Sequence, residues 1–270
     1  MNLAMCAEDG SIFTAIEFAQ QLPDDLERKR RTLQCPECGG PAFFRNASSI
    51  GRMACFGARP HADGCQLAAQ DFVRLQGADD NQDAPLNFKS KIIVDLNYGS
   101  PVSNDADSSA LRSRLEHIDY NHSGYILHET PIHRRLSSLL RDLLESPAFG
   151  SSDQVIKIDG VNEIVASQFF VPLLCATTQH SGLLRGFYGL LSDAKLAADQ
   201  SLWLNSGGRD TISFCLDSKY LECVAQRYHL RDVEDIAGAY ILVLGAPRVS
   251  QNGKLFLVIN GPEYMALRLT

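Results

Sequence analysis

Between Cys35 and Cys65 the chain carries a Cys35-Pro36-Glu37-Cys38 knuckle followed by Cys55, His61 and Cys65, and nothing else restricts its folding options as much. Thiolates and imidazoles are the donors that Zn2+ prefers, and a closed tetrahedral site needs two nearby pairs of them. The two-residue gap lets both knuckle sulfurs turn onto one ion, and Gly39-Gly40 permits the tight reversal that follows. His61 and Cys65 are the preferred second pair. Their His-x-x-x-Cys spacing lets both face one ion, and Gly64 frees the approach to Cys65. Cys55 lies in the apolar run Met53-Ala54-Cys55-Phe56, which reads as a strand, so it is either an alternative ligand or a small buried hydrophobe. Four protein ligands leave no open position for substrate, and the expected cofactor is therefore structural zinc.

The rest of the composition narrows the setting. No apolar run approaches the roughly 20 residues that a membrane span needs, and Glu8 and Asp9 interrupt the start before a signal segment could form. A cytoplasmic protein in a reducing compartment is expected, with no membrane partner and with clustered thiols binding metal rather than pairing. The net charge of −7 is unevenly spread, because residues 76–109 hold two basic and six acidic side chains. The flanking parts are nearly neutral, which excludes a broad polyanion-binding footprint and leaves local basic patches.

Leu3 to Cys6 and Ser11 to Thr14 read as a hairpin across Asp9-Gly10, with a short helix from Ala15 to Gln21 after it. Glu27-Arg28-Lys29-Arg30-Arg31 precedes the knuckle as a solvated face or, beside a zinc module, as a phosphate contact through Arg28, Arg30 and Arg31. The order is Ala4-Met5-Cys6-Ala7 before Asp9-Gly10, Thr14 to Ala19, Cys35-Pro36-Glu37-Cys38-Gly39, Ala42-Phe43-Phe44-Arg45, then Cys55-Phe56 through His61 to Cys65. In this order residues 3–70 resemble the amino-terminal zinc-binding module of the competence protein CoiA-like family. The resemblance implies a zinc module in a protein acting near prokaryotic DNA processing. The Glu-Ser, His and Lys nuclease signature of that family has no counterpart after Cys65, where Gln66-Leu67-Ala68-Ala69-Gln70 follows.

Residues 76–87 have almost no apolar content and read as a linker, Lys91 to Leu96 as a buried strand, and Gly99 to Ser109 as a second polar stretch. His117, His122, His128 and His133 match neither helical nor strand periodicity and read as ordinary histidines. Thr130-Pro131 has the form of a helix start, and Ile132, Leu136, Leu139, Leu140, Leu143 and Leu144 follow at helical spacing until Ser146-Pro147. Strands are expected at Val155 to Ile158, Phe169 to Leu174, Leu183 to Leu191, Ser201 to Leu204, Thr211 to Leu216 and Tyr220 to Gln226. A short helix at Val233 to Ala237 and a hairpin of Ala239 to Leu244 with Lys254 to Asn260, turning at Asn252-Gly253, complete the chain.

From Gly186 to Ile259 this order of strands, short helix and strands resembles an oligonucleotide/oligosaccharide-binding (OB) fold barrel, with an SH3-like barrel as the competing architecture. The expected fold class is α+β: a zinc-knuckle module over 1–75, an acidic linker with a strand over 76–109, a mixed connector over 110–180 and an OB-like barrel over 181–270. OB barrels stack bases on aromatic rings while basic side chains follow the backbone. Trp203, the only tryptophan, is the leading candidate, since Leu202 and Leu204 should point inward. Arg185 with Phe187, Lys219 with Tyr220, Arg227 with Tyr228, and Lys254 with Phe256 pair charge with rings. Phe187, Phe214 and Phe256 also suit a barrel core. No phosphate loop, nucleophile elbow or His-Glu-x-x-His helix is present, and Asp95 has no downstream Glu-x-Lys to complete a nuclease site. The expected function is a non-catalytic accessory protein that binds single-stranded nucleic acid beside an enzyme partner. The alternatives are a protein-interaction adaptor and a degenerate nuclease.

Overall fold

The Asp9-Gly10 turn folds Leu3–Cys6 (β1) back onto Ile12–Thr14 (β2), with Gly10 at φ 71°, a conformation open to glycine at little steric cost. This hairpin opens a computed structural model that describes residues 1, 3–48, 51–68, 91–96 and 131–269. Thr14 caps Ala15–Ala19 (α1) through a reciprocal box: the Glu17 amide donates to the Thr14 hydroxyl and the Thr14 amide to the Glu17 carboxylate. Pro23 then starts a helix that the basic run had hidden, Pro23–Lys29 (α2). Leu33–Gln34 (β3) pairs with the other side of β1, and Ala42–Arg45 (β4) pairs antiparallel with Cys55–Ala58 (β5). Phe18, Phe44 and Phe56 meet at centroid distances of 4.9, 5.5 and 5.4 Å and fill a small core with Leu33, Cys35 and Ala42.

Ile92–Val94 (β6) lies between Ile132–Arg134 (β7) and Val155–Lys157 (β8), parallel to both, with Ile164–Val165 (β9) antiparallel on the far side of β8. The helix expected from Thr130-Pro131 therefore starts later, as Leu136–Glu145 (α3). Pairing with β6 decides this. Ile132 N–H donates to Lys91 O at 2.8 Å and Asp95 N–H to Arg134 O at 2.9 Å, so Ile132–Arg134 is extended and Arg135 occupies the cap position. Thr130, the polar stretches at 76–87 and 99–109, and three of the four histidines lie outside the described residues; His133 is an exposed residue of β7. Pro147–Gly150 (α4) and Ala166–Phe169 (α5) follow in turn.

The remaining elements are Phe170–Pro172 (β10), Arg185–Leu190 (β11), Asp193–Leu196 (β12), Leu202–Asn205 (β13), Ser213–Leu216 (β14), Leu221–Arg227 (α6), Tyr240–Gly245 (β15), Arg248–Val249 (β16), Leu255–Ile259 (β17) and Met265–Arg268 (β18). They build a four-stranded sheet, β10-β11-β15-β18, and a five-stranded sheet, β12-β13-β14-β17-β16. Phe187, Ile241 and Val243 from the first meet Leu204, Phe214, Leu257 and Ile259 from the second in one core, while Leu242 and Leu244 on the opposite face join Leu139, Leu140 and Leu143 of α3. The class is α+β with more strand than helix, as expected. No closed barrel is found among the described residues.

Two local expectations are corrected. Tyr220 to Gln226 is a 3₁₀ turn at Ser218–Tyr220 running into α6, begun by Asp217, whose side chain accepts from Lys219 N–H at 3.0 Å. The Asn252-Gly253 turn joins β16, not β15, to β17; β15 pairs with β11 and β18.

The N-terminal module packs against the five-stranded sheet and the 232–238 turn. Arg30, 7% exposed, donates from both terminal nitrogens to the Glu234 carboxylate at 3.1 and 2.7 Å and to Phe44 O at 3.0 Å. Arg31 reaches Asp193 at 3.3 Å, Arg45 donates to Ala237 O at 2.9 Å, and Arg52 pairs with Asp235. Burial opposes ionisation of Asp235, but hydrogen bonds from Arg52 and from the Arg231 and Asp232 amides outweigh it and hold its carboxyl below the ordinary 3.8. A depressed folded-state pKa contributes stability that is present above the unfolded value and is lost as pH falls through the folded one. The melting temperature of the wild type should therefore exceed that of Asp235→Asn above about pH 4, and the gap should close on further acidification. A gap that persists unchanged at lower pH would remove Asp235 from the linkage.

Candidate metal centre and sheet face

The knuckle is closed by its own backbone. Cys35 N–H donates to Gly40 O at 2.8 Å and Gly39 N–H to Cys35 O at 2.9 Å, with Gly39 at φ 69°. Gly40 has no room for a side chain, since an added Cβ would lie 2.5 Å from Pro60 O. That close approach brings the segment after β5 to the knuckle: Arg59 N–H donates to Pro41 O at 3.0 Å, and His61 and Cys65 follow from there. The donor atoms of Cys35, Cys38, His61 and Cys65 all lie within 4.8 Å of one another, with Cys35 buried and the others half-buried. Cys35 and Cys65 sulfurs are 3.8 Å apart, and Cys38 Sγ is 3.4 Å from His61 Nδ1. A tetrahedral ion with metal–sulfur bonds of about 2.3 Å, as zinc makes, separates two thiolates by about 3.8 Å. The three sulfurs and one imidazole thus fit such an ion, and these four side chains can hold a metal. Cys55 is outside the cluster, at the start of β5 opposite Arg45.

The electrostatics prepare the site. Amide N–H groups of Ala62 and then Gly40 stabilise the Cys38 thiolate and bring its pKa down to about 6, whereas burial pushes Cys65 up to about 11. Metal binding needs thiolates, so Cys38 is ready to ligate and Cys65 releases its proton on binding. Glu37, inside the knuckle, accepts from Gln66 N–H at 2.9 Å and Leu67 N–H at 3.1 Å and sits 3.5 Å from Cys65 Sγ. It fastens the turn that carries the last ligand. Glu37→Ala should leave one ion bound while lowering affinity about 10- to 100-fold, read by competition with a chromophoric chelator. Undiminished affinity would show that Cys65 needs no such support. Among the described residues no second group of histidine, cysteine or acidic side chains is close enough to hold an ion.

The candidate nucleic-acid residues do not form one surface. Phe187 is fully buried, because β11 is packed on both faces. Arg185 donates to Leu184 O at 2.8 Å. Lys219 lies 4.7 Å over the Tyr220 ring, and the Tyr220 hydroxyl donates to Asn260 O; Arg227 donates to Pro262 O, and the Tyr228 hydroxyl accepts from Leu267 N–H. These four belong to α6 and the turns beside it, not to a strand face. Half-buried Lys254 donates to Gly208 O at 2.7 Å, and burial, then Arg31, lowers its pKa to about 8. Arg30 and Arg31 are engaged by Glu234 and Asp193 as described, while Arg28, 51% exposed, pairs with Asp25 and Glu8. Trp203 and Phe256 do come together, half-buried on the outward side of the five-stranded sheet with centroids 6.1 Å apart. Lys195 lies directly across from Trp203 and Arg248 directly across from Phe256. Sequence reasoning missed both, since β12 and β16 are too short and polar to announce themselves. Asp95 follows β6, and the one candidate metal group among the described residues does not include it.

No protein-family model matches the chain, and no curated protein matches it significantly. Among the described residues no helix is long and apolar enough to cross a membrane.

Proposed function

We propose that this chain is a non-catalytic accessory protein whose N-terminal module is stapled by zinc and whose outward sheet face binds single-stranded nucleic acid. Zinc is the ion of choice because three thiolates and one imidazole make a closed, soft, tetrahedral donor set. The observation that carries the binding reading is the ring pair Trp203 and Phe256, which meet over β14 on the outward side of the five-stranded sheet, each with a basic residue across from it on the next strand out: Lys195, which also pairs with Glu27, and Arg248. Bases stack on such rings without regard to sequence, and flanking cations follow the phosphates. The expectation of an OB-like barrel becomes a proposal about an open sheet used as an OB platform is used. The likeness of residues 3–70 to the CoiA-like zinc module supports a cytoplasmic, prokaryotic setting beside a DNA-processing enzyme.

Fluorescence anisotropy of a labelled oligonucleotide tests this. Trp203→Ala should weaken binding about 5- to 150-fold, corresponding to about 1 to 3 kcal/mol for one stacked base, and wild-type affinity should fall as salt rises. Equal affinity for wild type and Trp203→Ala, or none for either, would reject the reading. A second reading, an adaptor docking an enzyme, is favoured by exposed Ile12, Ile16 and Leu22 on the N-terminal module, and binding to such a partner need not fall with salt.

A further inference from the structure

The basic run before the knuckle is the part of the chain whose role the fold changes most. Arg30 and Arg31 are separated from Cys35 only by Thr32 and β3, and Arg45 ends the strand that leaves the knuckle on its other side. All three point their guanidinium groups at one surface of the body, made by Asp193 at the head of β12 and by the turn from Asp232 to Gly238. Asp193 is 1% exposed. On its own side it accepts from the Ser192 hydroxyl at 2.9 Å and the Asn205 amide at 3.0 Å, and among the described residues Arg31 is the one cation that pairs with it. Beside these bonds the Phe43 ring lies against Gly238, so tightly that a Cβ there would fall 2.2 Å from Cζ.

What holds the arginines in place is thin. The main buried apolar cluster among the described residues of the N-terminal module has nine members, four of them alanine and one of them Cys35 itself. A core of that size contributes little stability without a cross-link or a metal. The segments carrying Arg30, Arg31 and Arg45 join at the knuckle, where the Cys35 N–H to Gly40 O bond, the Gln34 to Pro41 bridge and the Arg30 bond to Phe44 O tie them, and four ligands sharing one ion would add a cross-link at the same point.

We propose that metal occupancy works as a clasp on the body: the filled Cys35, Cys38, His61, Cys65 site holds Arg30, Arg31 and Arg45 in register with Asp193 and the 232–238 turn, and emptying it undocks the module. This rests on the metal reading given above. It makes Arg30 and Arg31 a bridge within the chain that lets go of Glu234 and Asp193 only when the ion leaves. The molecule also contains its own reporter. Trp203 lies directly across from Lys195, whose Nζ is 2.5 Å from Glu27 of α2, so undocking alters the surroundings of the single tryptophan.

The experiment uses the whole chain. Elemental analysis first counts the ion. A chelator is then added while Trp203 emission and amide hydrogen exchange are followed, and Zn2+ is returned. The expected result is one ion per chain, a shift in emission on its removal, and exchange about tenfold faster at β12 and residues 232–238, all reversed by Zn2+. Glu234→Gln, which keeps every ligand, should retain the ion yet show the faster exchange at β12, and this variant decides the matter if the stripped wild type unfolds or aggregates. An ion that comes and goes with no change at Trp203 or β12, or a Glu234→Gln protein that exchanges like wild type, overturns the clasp while leaving the metal reading intact. A chain with no ion at all overturns both.

Discussion

Cys38→Ser protein is expected to purify without its metal and with the N-terminal module unfolded, while the two C-terminal sheets stay folded. Cys38 supplies the thiolate that amide groups have already stabilised, and its loss leaves three donors around a site 4.8 Å across. A structural zinc site contributes on the order of 10 kcal/mol of apparent binding energy at neutral pH, a cross-link that a core of nine buried side chains cannot supply. The effect should appear as metal content near zero by elemental analysis, with amide exchange in β1 to β5 faster by several orders of magnitude. A Cys38→Ser protein that still holds one equivalent and protects those strands would mean that Cys38 is not a required ligand, and a wild-type protein that holds no ion would mean that the cluster is a set of unrelated side chains. Cys55→Ser is the natural control and should retain the ion, because Cys55 lies on β5 outside the cluster.

Gly238→Ala should be the most damaging single methyl in the body. Gly238 is at φ 77°, where an alanine costs about 1–2 kcal/mol, and its Cβ would enter the Phe43 ring, which adds about 1–3 kcal/mol of overpacking. The sum is about 2–5 kcal/mol, or roughly 5–15 °C in melting temperature for a chain of this size. Gly253→Ala separates the two contributions. Gly253 is at φ 78° with open space around it, so it should show the backbone cost alone. Equal losses at both positions would mean that Phe43 moves aside freely and that the contact between module and body is soft.

The four candidate metal ligands were legible in the sequence because their geometry is local. A Cys-x-x-Cys turn followed by two glycines can be read without knowing what surrounds it, and the apolar flanks of Cys55 set it apart from His61 and Cys65. The hairpin of β1 and β2 and the capped α1 were readable for the same reason. The role of the arginines was not, since Glu234 and Asp193 stand 204 and 162 positions away. Phe187 could not be assigned from alternation because β11 is covered on both sides. Tyr220 to Gln226 looked like a strand by its β-branched and aromatic residues, and the Asp217 side chain turned it into a helix start instead. The expected barrel is not found closed among the described residues, where β14 lies parallel to β17, a neighbour that no run of local signals specifies.

The span between Arg30 and Glu234 also fixes an order of assembly. At a ribosomal rate of about 5–20 residues per second, the arginine emerges some 10–40 s before its carboxylate partner is made. During that interval the newborn knuckle has cysteines, a histidine and the cell's free metal to work with, and no body to lean on. An ion taken up at the knuckle would therefore be ligated while the ribosome is still translating, with docking as the closing event.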